Sequence, residues 1–233
     1  MDHKLKTSKK FGQYFNFAGV QVFLKALLFN REYFIPHLAV KNINNINFKL
    51  LHQNGIKYVV FDKDNTLTNA YEKDINPQIQ DGYNQCKEVF GLQNMAILSN
   101  SVGSTDDKDH QEAKLLEQIT GIPVIRHKLK KPLVKDDIYL HFNLPLSQQK
   151  STSNQQSNSP IALIGDRILA DTVMGNSHGF FTIDVRPFST KNENIMVKMS
   201  RKVEEYVLPI VCRGKQAPEH QIFQHVKRED LIK

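Results

Sequence analysis

The stretch FDKDNTLT (61–68) sets two carboxylates, Asp62 and Asp64, two positions apart at the end of an apolar run, IKYVVF (56–61). A third acid, Asp166, follows another apolar run in IALIGDRILAD (161–171), with Asp171 five residues beyond it. Ser99 and Asn100 end a further run, MAILSN (95–100), and the basic stretch RHKLKK (126–131) follows IPVI (122–125). Carboxylates gathered at one point repel one another unless a cation neutralises them. Oxygen-only ligands suit magnesium, which keeps several waters and bridges to phosphate oxygens. A carboxylate also attacks phosphorus once the phosphoryl charge is neutralised, and the resulting aspartyl phosphate splits one hard displacement into two. A second acid two residues on would protonate the leaving alkoxide and later deprotonate the hydrolytic water. Ser99, Asn100 and a lysine would clamp the phosphoryl oxygens, and the backbone N–H groups after Asp62, from Lys63 onward, would complete the cradle.

These side chains meet only if the runs preceding them are neighbouring strands. Apolar runs at 56–61, 95–98, 122–125, 161–164 and 180–183 alternate with helix-compatible segments near 77–90, 104–120, 133–142 and 167–177. That alternation predicts an α/β fold: a Rossmann-like parallel sheet with helices on both faces. In such folds ligands bind outside the carboxyl ends of the strands, where all the polar residues above fall. The helix over 104–120 is expected to be capped by Ser104 or Thr105 and stopped by Gly121. The polar stretch SQQKSTSNQQSNS (147–159) reads as a disordered insertion. The chain then divides into an N-terminal segment (1–50), a catalytic domain (51–190), and a C-terminal helix with a basic tail (191–233).

A net charge of +7 fits phosphate-bearing partners, nucleic acid or anionic lipid alike. No zinc-finger or RNA-binding aromatic signature accompanies the lysines, so no nucleic-acid partner is expected. The two cysteines, Cys86 and Cys212, lack metal-ligand spacing. No run of eighteen apolar residues exists. Phe17, Val20, Phe23, Leu24, Leu27 and Leu28 recur at helical spacing in FNFAGVQVFLKALLF (15–29), giving an amphipathic helix that either packs on the domain or lies in a membrane interface. The same alternative stands for NIMVKMSRKVEEYVLPIV (194–211).

DKDNT (62–66), the strand ending at Ser99, the Lys-Pro at 131–132 and GDRILAD (165–171) resemble, in order and spacing, the four motifs of haloacid dehalogenase-superfamily phosphatases. The resemblance implies that Asp62 is the nucleophile and Asp64 the general acid/base. It further implies that Ser99 binds the phosphoryl group, that Lys131 neutralises charge, and that Asp166 is a magnesium ligand beside Asp62. Asp64 would bind the ion through its backbone carbonyl, with Asp171 supporting the metal from one helical turn away. Lys130 competes with Lys131 for the lysine role.

More narrowly, the segments 97–132 and 164–179 are similar to the mitochondrial phosphatidylglycerophosphate phosphatases of fungi and their relatives, over roughly residues 16–210. That likeness implies an enzyme, a magnesium-dependent phosphoric monoester hydrolase of cardiolipin biosynthesis, peripheral on the matrix side of the mitochondrial inner membrane, acting on a phospholipid. Only about 35 residues separate Asp64 from Ser99 and about 30 separate Asn100 from Lys131, which leaves no room for a cap domain. An uncapped site suits a headgroup still anchored in a bilayer, with Arg126, His127 and Lys130 as candidate substrate contacts. A capless phosphatase acting on a phosphoprotein or a nucleic-acid end would use the same chemistry.

Overall fold

The computed structural model describes residues 17–146, 157–191 and 193–233. Five strands form one sheet: β1 (Leu38–Val40), β2 (Tyr58–Phe61), β3 (Met95–Ile97), β4 (Ile161–Gly165) and β5 (Phe181–Val185). Their order is β1-β5-β4-β2-β3, and every pairing is parallel. Parallel neighbours need crossovers, which the helices provide. These are α2 (Phe48–Gln53), α3 (Gln80–Phe90), α4 (Gln111–Thr120), α5 (Lys135–His141) and α6 (Val173–Ser177). The period-2 alternation of the strands divides the core into two layers. Val59, Phe61, Ile97 and Ile164 turn one way, onto Leu51, Phe90 and Leu116 of α2, α3 and α4. Val60, Ala96 and Leu163 turn the other way, onto Ile138 and Tyr139 of α5 and Met174 of α6. The expected α/β sheet with helices on both faces is what the chain forms.

Three details differ from expectation. Leu38–Val40, a three-residue edge strand, pairs with β5 although no strand was expected there. IPVI forms no strand of its own. Val124 alone bridges Ile97, although the segment still lies alongside, with Ile125 N–H donating to Ile97 O at 2.9 Å. And α4 begins at Gln111, capped neither by Ser104 nor by Thr105. Asp107 accepts from Glu112 N–H (3.0 Å) and Ala113 N–H (2.9 Å), because the intervening residues form a turn in which Asp109 and His110 adopt positive φ. Gly121 ends the helix at φ 72°, as expected.

Outside the sheet, α1 (Phe17–Phe29) lies against the C-terminal helical segment, which runs from α7 (Ile195–Lys202) through a π turn (Val203–Val207) into α8 (Leu208–Val211). Pro209 has no N–H to offer the Glu205 carbonyl and its ring crowds that oxygen, so the preceding turn widens to i→i+5 bonding. Ala26 and Phe34 pack with Leu208 and Val173 in a third apolar cluster. Residues 213–233 then return to the first layer. Ile222 and Leu231 are buried there, and Asn47 N–H donates to Leu231 O at 2.9 Å. Within the expected insertion, residues 147–156 lie outside the described residues, while Ser157 bridges His220. Residues 1–16, which hold the first part of the expected N-terminal segment, are also outside them.

Candidate active site

The sheet delivers its polar residues to one rim. Asp62 leaves β2 with its N–H bonded to Ile164 O at 2.8 Å, so it stands beside the end of β4 and Asp166. Asp171 is brought round by a π turn (Ile168–Thr172), and its own N–H bonds Arg167 O at 2.8 Å. Such single-turn widenings gather at functional sites. A Cβ on Gly165 would lie 2.4 Å from Asp171 Cγ, so only glycine admits that carboxylate. Asp62, Asp166 and Asp171 are all buried, and each offers a carboxylate oxygen within 4.8 Å of the others.

Lys131 answers this charge. Its ammonium, fully buried, reaches Asp62 Oδ1 at 2.5 Å and Asp171 Oδ1 at 2.6 Å. Burial works to lower the Lys131 pKa, but Asp171 and Asp62 together override it and hold the value above its ordinary one. Asn100 sets the lysine's position by accepting Lys131 N–H at its Oδ1 (2.8 Å). Lys130 points elsewhere, to Asp106 at 2.6 Å, so of the two candidate lysines only Lys131 reaches the acidic cluster.

The remaining sequence candidates divide. Ser99 is buried at the rim, and its Oγ accepts from Ser101 N–H (3.3 Å) and Val102 N–H (3.4 Å) and lies 3.3 Å from Ser101 Oγ. Asp64 stands outside the acidic cluster. It accepts from Lys63 Nζ (2.7 Å) and Tyr71 N–H (2.9 Å) and lines a cavity of about 230 Å³ with Tyr71, Lys73, Ser101 and Glu112. Lys63 is buried with its ammonium committed to Asp64 and Thr68 Oγ1 (3.2 Å), which leaves its backbone N–H for a phosphoryl group.

Two of the expected substrate contacts, His127 and Arg126, are engaged by the protein's own groups. His127 is buried: Nε2 lies 2.7 Å from Ser99 O and Nδ1 2.5 Å from Leu129 O, so the ring ties two loops together. Arg126 is turned onto Glu117 through two bonds of 2.6 and 2.9 Å, because Glu117 presents its carboxylate across the turn that leaves α4.

Sequence reasoning missed a second cationic group. Arg201, on α7, ion-pairs with Asp166 Oδ2 and donates to Asp166 O at 3.0 Å and to both oxygens of Glu193. Glu193 in turn accepts from Asn65 Nδ2 at 2.8 Å, which links the first motif to the fourth. Arg201 sits in KMSRK, indistinguishable by local pattern from solvated surface charge, and only the path of the chain brings it back.

A divalent cation is tested by what these acids lack. Asp166 Oδ1 is buried without a hydrogen-bond partner. Burial, and then the Asp62 charge, push the Asp166 carboxyl well above the ordinary carboxylate range. An orphaned carboxylate oxygen beside two more carboxylates fits a hard, oxygen-seeking cation, which would also keep the group ionised. Asp171 is likewise pushed up by burial, with Lys131 opposing. No helix among the described residues is long and apolar enough to cross a membrane. The connections carrying Asp64 to Ser99 and Asn100 to Lys131 hold loops and single helices, with no second domain.

Comparison with known proteins places the chain. The family model described as mitochondrial PGP phosphatase matches residues 18–187. The chain is 36% identical over 218 residues to phosphatidylglycerophosphate phosphatase 1, chloroplastic/mitochondrial, of Arabidopsis thaliana, covering 92% of this chain and 59% of that protein. It is 35% identical to phosphatidylglycerophosphate phosphatase 1, chloroplastic, of Chlamydomonas reinhardtii, covering 91% and 76% respectively. It is 31% identical to the mitochondrial phosphatidylglycerophosphatase of Saccharomyces cerevisiae, covering 78% and 93%. No solved structure gives a match.

Proposed function

The chain belongs to the mitochondrial PGP phosphatase family, and from that membership we propose that it hydrolyses phosphatidylglycerophosphate to phosphatidylglycerol and inorganic phosphate, a step toward cardiolipin. The observation that carries the chemistry is the buried Asp62 held on Lys131 inside a cluster with Asp166 and Asp171. An Asp62 carboxylate oxygen attacks phosphorus, forming the aspartyl phosphate as the bond to the headgroup oxygen breaks. Asp64, outside the cluster and open to the neighbouring cavity, gives its proton to that departing alkoxide. It then takes a proton from the water that attacks the phosphorus and releases Asp62. Lys131 balances the phosphoryl charge, while the Ser99 hydroxyl and the backbone N–H groups after Asp62 hold the oxygens.

Magnesium fits the donor set: Asp62 and Asp166 would hold it with the Asp64 carbonyl, and Asp171 would support the site through Lys131 and the Arg167 N–H (3.3 Å). When bound, the ion neutralises phosphoryl charge and the repulsion among the carboxylates. The uncapped rim is suited to a headgroup that stays in its membrane. Relatives named mitochondrial support a mitochondrial location, and we propose further that the protein works there as a peripheral enzyme on the matrix side of the inner membrane.

Phosphate release from phosphatidylglycerophosphate in detergent micelles tests the reading. Turnover is expected with magnesium, lost in EDTA and lost in Asp62→Asn, whose amide cannot form the acyl phosphate. Equal or faster turnover of phosphopeptides or 5′-phosphorylated oligonucleotides would sink the lipid assignment.

A further inference from the structure

The C-terminal helical segment shows two unlike faces. Its inner face belongs to the site, where Arg201 holds Asp166 and Glu204 accepts Leu169 N–H at 3.0 Å. Its outer side carries Ile195 and Met199, one turn apart, and Tyr206 and Ile210 beyond the π turn, at 75, 58, 63 and 75% exposure. A water-facing segment of this length seldom exposes four large apolar side chains. Lys198, Lys202 and Arg213 are interspersed with them in sequence, with Glu205 as the acidic residue among them. The neighbouring α1 exposes further large apolar side chains, Leu24, Leu28 and Phe29, at 47, 66 and 77%. The two helices are fastened together, since Arg31 donates to Val211 O at 3.4 Å and Ala26 packs with Leu208.

We infer that the outer side of residues 195–213, together with α1, docks on an anionic phospholipid bilayer and holds the catalytic rim against it. Interleaved cations and bulky apolar groups are the pairing that an anionic lipid surface rewards: apolar side chains enter the acyl boundary while ammonium and guanidinium groups meet phosphates. The orientation rests on the lipid-phosphatase reading above. Arg201 and these apolar side chains share one helical segment, so the surface that meets lipid is built into the site.

Flotation of the full chain with phosphatidylcholine vesicles, with and without phosphatidylglycerol, measures the docking. The wild-type chain is expected to float with the phosphatidylglycerol-containing vesicles, and Met199→Glu/Ile210→Glu to weaken that binding by about tenfold or more. Lys198→Glu/Lys202→Glu should remove the dependence on phosphatidylglycerol. Neither pair touches the acidic cluster, so hydrolysis of soluble p-nitrophenyl phosphate should persist and show that the fold is intact. Flotation unchanged in both variants overturns the proposal. So does sedimentation showing a wild-type dimer that Ile210→Glu makes monomeric, which would assign this surface to a second copy of the chain. If micellar phosphatidylglycerophosphate is hydrolysed but vesicles are not bound, docking fails and the substrate reading stands. Variant-sensitive flotation without that hydrolysis upholds docking and overturns the substrate reading.

Discussion

Replacing Arg201 by methionine removes the guanidinium that joins the C-terminal helix to the acidic cluster. Asp166 and Glu193 would remain with side chains only 2% and 4% exposed and their shared cation gone. Breaking a buried ion pair from one side costs about 3–5 kcal/mol, because the abandoned charge stays out of water. The lower end applies here, since Asp166 is already pushed toward protonation by burial and escapes part of the penalty by becoming neutral. A loss of about 3 kcal/mol in a domain of this size lowers the melting midpoint by roughly 6–12 °C. Melting in EDTA should show that loss. Melting in magnesium should recover part of it, because the ion supplies the charge that Asp166 has lost, so magnesium should stabilise Arg201→Met more than wild type. A loss under about 1 kcal/mol in EDTA, or equal magnesium stabilisation of both proteins, would refute the idea that Arg201 balances the buried acids.

Lys131→Met should lower turnover by about 10²–10³-fold in the micelle assay, as removing one charge-stabilising donor does, whereas Lys130→Met should stay near wild type because its ammonium pairs with Asp106. Gly165→Ala should destabilise by about 1–3 kcal/mol and displace Asp171 from Lys131, visible in urea melts and in lost activity. Arg126 first, then the Val124 N–H, hold the Glu117 carboxyl below its ordinary value of 4.5 against the opposing pull of burial. A depressed folded value contributes stability above pH 4.5 that is lost as pH falls through it. Glu117→Gln should therefore flatten the acid limb of the stability profile, and an unchanged limb would contradict the pairing.

The rim was legible from sequence because each of its residues follows an apolar run directly, so that one parallel sheet necessarily gathers Asp62, Ser99 and Asp166. Period-2 burial and the placement of the helices followed from the same alternation. What stayed hidden depends on chain paths that no local pattern encodes. Leu38–Val40 is too short to show alternation, and it becomes a strand because β5 offers an unpaired edge. His127 reads as one of a run of cations, yet two carbonyl oxygens claim its ring. Arg201 lies 35 residues from Asp166, and Glu193 lies 128 from Asn65, so neither contact leaves a motif. The choice between Lys130 and Lys131 needed the geometry of the turn, where adjacent residues point to Asp106 and to Asp62.

The edge strand that sequence did not announce also bears on how the chain acquires its shape. β1 meets β5 across a long loop, His37 bonding Thr182 from 145 residues away, and Asn47 waits for Leu231 from the far end of the described chain. Closing loops of that length costs entropy before any contact repays it. The β2–β3 side of the sheet, joined by a far shorter stretch of chain, can therefore assemble while the β1 edge is still open, and the first layer is sealed only when residues 213–233 arrive. Until then Phe181 and Ile183 on β5 stand uncovered, which makes the last stage of folding the one most exposed to aggregation.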